Sequence, residues 1–93
     1  MIYFIESQSV TPEPLIKIGF TDREPKVRIR ENQRNNPSLI KTLAICEGDK
    51  DLDQYLKNRF RHLMFLPSPQ LNSSEWYHPS EELRRLIDEI RKS

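Results

Sequence analysis

Two short apolar runs, residues 1 to 6 and 15 to 20, rich in Ile, Tyr and Phe, flank a polar stretch from Ser7 to Pro14 that carries Pro12 and Pro14. Such runs on either side of a proline-bearing segment predict a β-hairpin with a long loop. A hairpin needs other elements to cover it, and the rest of the chain is punctuated into short pieces that can do so. Thr21 or Asp22 can cap a helix whose first turn contains Glu24 and Pro25, and Asn35-Asn36-Pro37 stops it after about ten residues, because proline disfavours helical geometry in the residue before it. That helix has a thin apolar face, Val27 and Ile29, so packing on the sheet must hold it. Leu39 to Cys46 predicts a third strand, with Leu39, Leu43 and Ile45 on one face and Ile40, Ala44 and Cys46 on the other. Apolar residues on both faces point to a central position.

Gly48 breaks that strand and Asp49 can cap the next helix, where Leu52, Tyr55, Leu56, Phe60 and Leu63 recur at helical spacing until Pro67 and Pro69. This predicts the strongest helix of the chain. Residues 67 to 74 read as a polar loop and Glu75-Trp76-Tyr77 as a short aromatic element. Ser80 caps a last helix that turns Leu83, Leu86, Ile87 and Ile90 inward. The expected fold is α+β, a small three-stranded antiparallel sheet flanked by helices in the order β-β-α-β-α-α.

The 93 residues lie near the lower end of what buries an independent core, so one domain spanning 1–93 is expected, with any partner domain on another chain. A composition of 35% hydrophobic and 31% charged residues fits a globular surface around a modest core rather than a membrane chain. The opening Met1-Ile2-Tyr3-Phe4-Ile5 lacks a basic stretch before it and stops at Glu6, too short for a signal peptide or a membrane span, and reads as a strand. A single cysteine, Cys46, excludes an internal disulfide and a cysteine-built zinc site, which suits a reducing, cytoplasmic setting. In its apolar strand Cys46 reads as an inert buried thiol.

The net charge of +1 gives no reason by itself to expect nucleic acid, so the distribution of charge matters more. Lys26, Arg28, Arg30, Arg34 and Lys41 face one acid, Glu31, and Lys57, Arg59, Arg61 and His62 form a second basic cluster. Both clusters read equally as solvated helix faces. No Gly-rich phosphate loop is present, so nothing supports nucleotide hydrolysis, and His62 and His78 have no partner at metal-ligand spacing.

Several of these residues form a known series. Ile2-Tyr3-Phe4-Ile5 followed by Lys17-Ile18-Gly19 resembles the two opening motifs of GIY-YIG nucleases. Arg28-Ile29-Arg30, Gln33 and Asn36-Pro37 resemble the first helix of the short phage and bacterial branch whose second motif reads KIG. Asp53, Leu56 and Phe60 fit that branch's acid, leucine and phenylalanine spacing, and Glu75-Trp76-Tyr77 looks like its closing signature. Asp53 stands where the family has glutamate, and Lys57 where the branch has histidine.

The resemblance implies a metal-dependent endonuclease that hydrolyses phosphodiester bonds in DNA, with RNA left open as a substrate and Mg²⁺ or Mn²⁺ as cofactor. It assigns Tyr3, Lys17 and Arg28 to catalysis, Asp53 to the metal, and Glu75 to a second carboxylate. Lys26, Arg30, Arg34, Lys41, Arg59, Arg61 and His62 are the expected nucleic-acid contacts, with another subunit supplying any targeting. A phosphodiester needs positive charge where negative charge accumulates, which a guanidinium and a one-carboxylate Mg²⁺ site supply. The alternatives are a nucleic-acid-binding module of the same fold that does not cut, and a small protein-interaction factor. Position by position the ordinary roles compete too: Tyr3 as a packing aromatic, Arg28 paired with Glu31 or Glu24, Asp53 paired with Lys57, Lys17 facing solvent, and Trp76 as a large core or lid residue.

Overall fold

The computed structural model describes residues 1–7, 14–34, 40–65 and 76–92. Strands β1 (Ile2–Ser7) and β2 (Leu15–Phe20) form the expected antiparallel hairpin, in register from Ile2 opposite Phe20 to Ser7 opposite Leu15. Its open end is tied by reciprocal bonds, the Thr21 amide to the Met1 carbonyl at 3.0 Å and the Met1 ammonium to the Thr21 carbonyl at 2.8 Å. Helix α1 (Pro25–Arg34) follows, then β3 (Ile40–Cys46), α2 (Lys50–Arg59), a single 3₁₀ turn (Arg61–Leu63), β4 (Trp76–Tyr77) and α3 (Glu81–Lys92).

The α+β class holds, with four strands rather than three, because Trp76 and Tyr77 add an antiparallel strand to β2 opposite Lys17 and Ile16. The sheet order is β3-β1-β2-β4. The central position expected for the third strand belongs instead to β1, which pairs on both sides and is buried along its whole length; β3 lies at the edge. Apolar residues on both faces of β3 reflect cover by α1 and α3, not by neighbouring strands. A bulge explains the altered alternation of β3: Phe4 pairs with Ala44 and Ile5 with Thr42, so Leu43 is the extra residue. Leu43 therefore packs with Ala44 and Cys46 against the core, while Ile40, Thr42 and Ile45 share the opposite side with α1.

One face of the sheet carries the core. Ile2 and Phe4 of β1, Ile16 and Ile18 of β2, Ala44 and Tyr77 meet Leu56 and Phe60 below α2 and Leu83 and Ile87 of α3. Each buried side chain of this size contributes about 1.5–3 kcal/mol, which is what holds so small a chain together. Asp49 caps α2, its Oδ1 accepting the Leu52 amide at 2.9 Å, and Ser80 caps α3, its Oγ accepting the Leu83 amide at 3.1 Å, both as expected. Helix α2 ends at Arg59, well before Pro67, and Tyr55 is 57% exposed rather than on its packing face. The longer and more sharply two-faced helix is α3. On α1, Val27 points outward and Pro25 is the buried residue; Thr21 Oγ1 accepts the Arg23 amide and so shapes the turn before the helix. The stop at Asn35-Asn36-Pro37, Leu39, the 67–74 loop with Pro67 and Pro69, and Glu75 lie outside the described residues. Among the described residues no helix is long and apolar enough to cross a membrane.

Candidate functional site

The face of the sheet opposite the core carries polar residues beneath α1. Tyr3 and Gly19 are directly paired across β1 and β2, and a Cβ built on Gly19 would stand 2.2 Å from Tyr3 Cζ and 2.4 Å from its hydroxyl oxygen. The tyrosine ring therefore lies flat on the glycine backbone, an approach that no residue with a side chain permits. The glycine of Lys17-Ile18-Gly19 thus seats the tyrosine of the first strand.

Lys17 points to the same side, and it is only 7% exposed. Burial of an ammonium is costly unless it is paired. Asn32 on α1 supplies an acceptor, its Oδ1 taking a hydrogen bond from Lys17 Nζ at 2.6 Å, and the Trp76 ring lies 5.9 Å from the same nitrogen, from the neighbouring strand. Lys17 is therefore a buried, anchored cation, not a solvent-facing strand residue. The Asn32 amide nitrogen donates at 3.2 Å to the Tyr3 hydroxyl and at 3.0 Å to the Arg28 carbonyl.

Arg28 completes the group one turn earlier on α1. Its guanidinium is held above its ordinary pKa first by the Tyr3 hydroxyl and then by Glu31, whose Oε2 it meets at 3.1 Å. Arg23 reaches the same oxygen at 2.9 Å, and together Arg23 and Arg28 hold the Glu31 carboxyl below the usual range. The Arg28 side chain is 43% exposed, so it is the part of the cluster that solvent reaches, above a buried tyrosine and lysine. Tyr3, Lys17 and Arg28 are brought together as the sequence led us to expect. Asn32, which bonds the Lys17 ammonium, the Tyr3 hydroxyl and the backbone carbonyl of Arg28, was missed.

Asp53 lies on α2 beside the Leu52–Leu56 stripe and is buried. Its Oδ2 meets Lys57 Nζ at 2.9 Å, whereas Oδ1 is buried with no hydrogen-bond partner among the described residues. The ordinary i,i+4 pairing anticipated for this aspartate is thus present. An orphaned carboxylate oxygen is also what a cation site leaves open, and one carboxylate completed by waters is a donor set that suits Mg²⁺. Among the described residues there is no group of three or more His, Cys, Asp or Glu able to enclose a metal.

The expected nucleic-acid contacts divide into three places. Lys26 and Arg30 line an open groove of about 370 Å³ between α1 and β3, over Ile29, Ile40 and Ile45, with Arg34 exposed at the helix end. Lys41 is exposed but stands across from Glu6, on the side where α3 sends Arg84 to Glu6 at 3.2 Å, so it is separated from that groove. Arg59 is tied to Glu82 of α3 at 2.8 Å, Arg61 borders a second pocket with Lys57 and Tyr77, and His62 is exposed. Trp76 is half-buried at the Lys17 position, while its neighbour Tyr77 is the core residue. Burial raises the Cys46 thiol above its usual pKa, in keeping with an inert thiol.

The family profile of the T5orf172 domain matches residues 1–92. The chain belongs to the T5orf172 domain family. This match runs through every element of the fold, so the polar cluster on β1, β2 and α1 and the aspartate on α2 all lie within the T5orf172 domain. Searches of curated proteins and of solved structures returned no match.

Proposed function

We propose that this T5orf172 domain is a metal-dependent endonuclease of the GIY-YIG type that hydrolyses phosphodiester bonds in DNA. The observation that carries the proposal is the convergence of Tyr3, Lys17 and Arg28 from three elements into one cluster over a glycine that makes room for the tyrosine. Membership of a family related to nuclease domains supports the same reading. Arg28 is the accessible cation and is suited to grip a phosphoryl oxygen through two N–H groups, releasing Glu31 to Arg23 as it does so. Lys17, buried beside Asn32, adds a fixed positive charge where negative charge grows in the transition state, and the surrounding protein makes that charge more effective than it is in water. Tyr3 contributes a phenol hydroxyl held in place on Gly19.

Asp53 is the residue that would hold a single Mg²⁺ or Mn²⁺, through the oxygen that lacks a donor. Such an ion supplies charge neutralisation and leaving-group activation when bound. Lys26, Arg30 and Arg34 extend the positive surface along α1, toward a nucleic-acid backbone.

One observation favours a second reading, a domain that binds nucleic acid without cutting it: Lys57 already neutralises Asp53 at 2.9 Å. Incubating supercoiled plasmid and branched DNA with the protein in Mg²⁺, Mn²⁺ or chelator separates the two. Nicking that depends on the metal supports the endonuclease. Salt-sensitive binding with no cutting in either metal supports the binding module.

A further inference from the structure

We propose that Asn32 is the positioning residue of this site, fixing the Lys17 ammonium and the Tyr3 hydroxyl relative to each other; this rests on the nuclease reading above. Its amide is committed at both ends. Oδ1 accepts from Lys17 Nζ at 2.6 Å, while Nδ2 donates to the Tyr3 hydroxyl at 3.2 Å and to the Arg28 carbonyl at 3.0 Å. Turning the amide over would set its NH₂ against an ammonium and its oxygen against a carbonyl, so the partners themselves fix its orientation.

That orientation decides what the tyrosine can do. A phenol oxygen both donates and accepts, whereas the amide NH₂ of Asn32 and the guanidinium of Arg28 only donate. Asn32 Nδ2 donates to the Tyr3 oxygen, so the phenol's own proton points away from that amide. In this arrangement the buried Tyr3 hydroxyl keeps its proton available to donate on the side away from Asn32. Lys17 is held on the same amide, so one side chain sets the spacing between the fixed cation and the phenol. A leucine at position 32 would pack between α1 and the sheet without any of these bonds, and an apolar residue at position 17 would cost the fold less than a buried ammonium. A buried lysine held by an asparagine is a choice that packing alone does not explain.

The test compares Asn32→Asp and Asn32→Leu with the native chain in the metal-dependent plasmid assay, measuring kcat and KM separately. Asn32→Asp keeps an acceptor for Lys17 but replaces the donor to Tyr3 with an acceptor that captures its proton. Asn32→Leu removes all three bonds. Thermal melting and the Tyr3 ¹³Cζ resonance of tyrosine-labelled protein report folding and the local hydrogen bond. The expected result is kcat lowered by about 10²-fold in both variants, as misplaced catalytic groups cause, with KM within about threefold of native, the variants folded and the Tyr3 resonance displaced. Native kcat and KM in folded Asn32→Asp overturns the positioning role while leaving the nuclease in place. No cutting by the native chain overturns the nuclease reading, and the positioning role with it.

Discussion

Gly19 and Tyr3 show how a single residue can be required by another. A methyl group at Gly19 would sit inside the Tyr3 ring, and the atoms it meets belong to a side chain buried under α1 that has little room to withdraw. Gly19→Ala is therefore expected to destabilise the fold by about 1–3 kcal/mol, as overpacking does, and to displace the Tyr3 hydroxyl from Asn32. Urea unfolding with the Tyr3 ¹³Cζ resonance checks both, and an unchanged resonance would contradict the close seat. At this scale the sequence pointed to several residues of the candidate site. Tyr3, Lys17, Arg28 and Asp53 stood out because they occupy motif positions. Asn32 did not, since its partners Tyr3 and Lys17 are 29 and 15 residues away and nothing local distinguishes a helical asparagine. The burial of Lys17 was hidden for the same reason, because it depends on Asn32 of α1 and Trp76 of β4 meeting it.

Among the elements, helix ends were the most legible features, since capping by Asp49 and Ser80 is a local event between a side chain and an amide three residues on. Strand order was not. The continuous apolar run of β1 and the mixed pattern of β3 each fit a central strand, and only the pairing of β1 with both β2 and β3 decides between them. Helix α2 joins the core to the proposed metal position. Its Asp53 has one oxygen on Lys57 and one without a partner among the described residues, so the lysine competes with any cation for the carboxylate. Replacing it by a neutral residue, Lys57→Gln, removes that competition and should tighten Mn²⁺ binding about tenfold, as measured by calorimetry or by the loss of free Mn²⁺ paramagnetic signal, with Asp53→Asn abolishing it. Equal Mn²⁺ affinity in native and Lys57→Gln protein would show that the ion pair does not guard the site.

For the molecule as a whole, the two faces of the sheet divide the work. The core face, closed by α2 and α3, supplies stability, and α2 on that side carries Asp53; the opposite face, under α1, gathers the tyrosine, lysine and arginine. The positive surface is likewise uneven. Lys26 and Arg30 share a groove, while Lys41 falls beside Glu6 and Arg59 is engaged with Glu82, so the two basic clusters seen in the sequence do not form one continuous stripe. Segregation of this kind is a property of topology, and the sequence shows the charges without showing which element turns each one outward. If the cluster under α1 is a phosphodiester site, Arg28 and Asp53 should both be needed for cutting while the fold survives the loss of either, since Arg28 is half-exposed and Asp53 lies beside the apolar stripe of α2 rather than within it. The most direct measurement is the rate of plasmid nicking in Mg²⁺ by the native chain, Arg28→Ala and Asp53→Ala, each checked for folding by circular dichroism. Metal-dependent nicking by the native chain that falls by at least about 10²-fold in both folded variants is the predicted result. Nicking that persists in either folded variant, or that proceeds equally in chelator, would contradict the assignment.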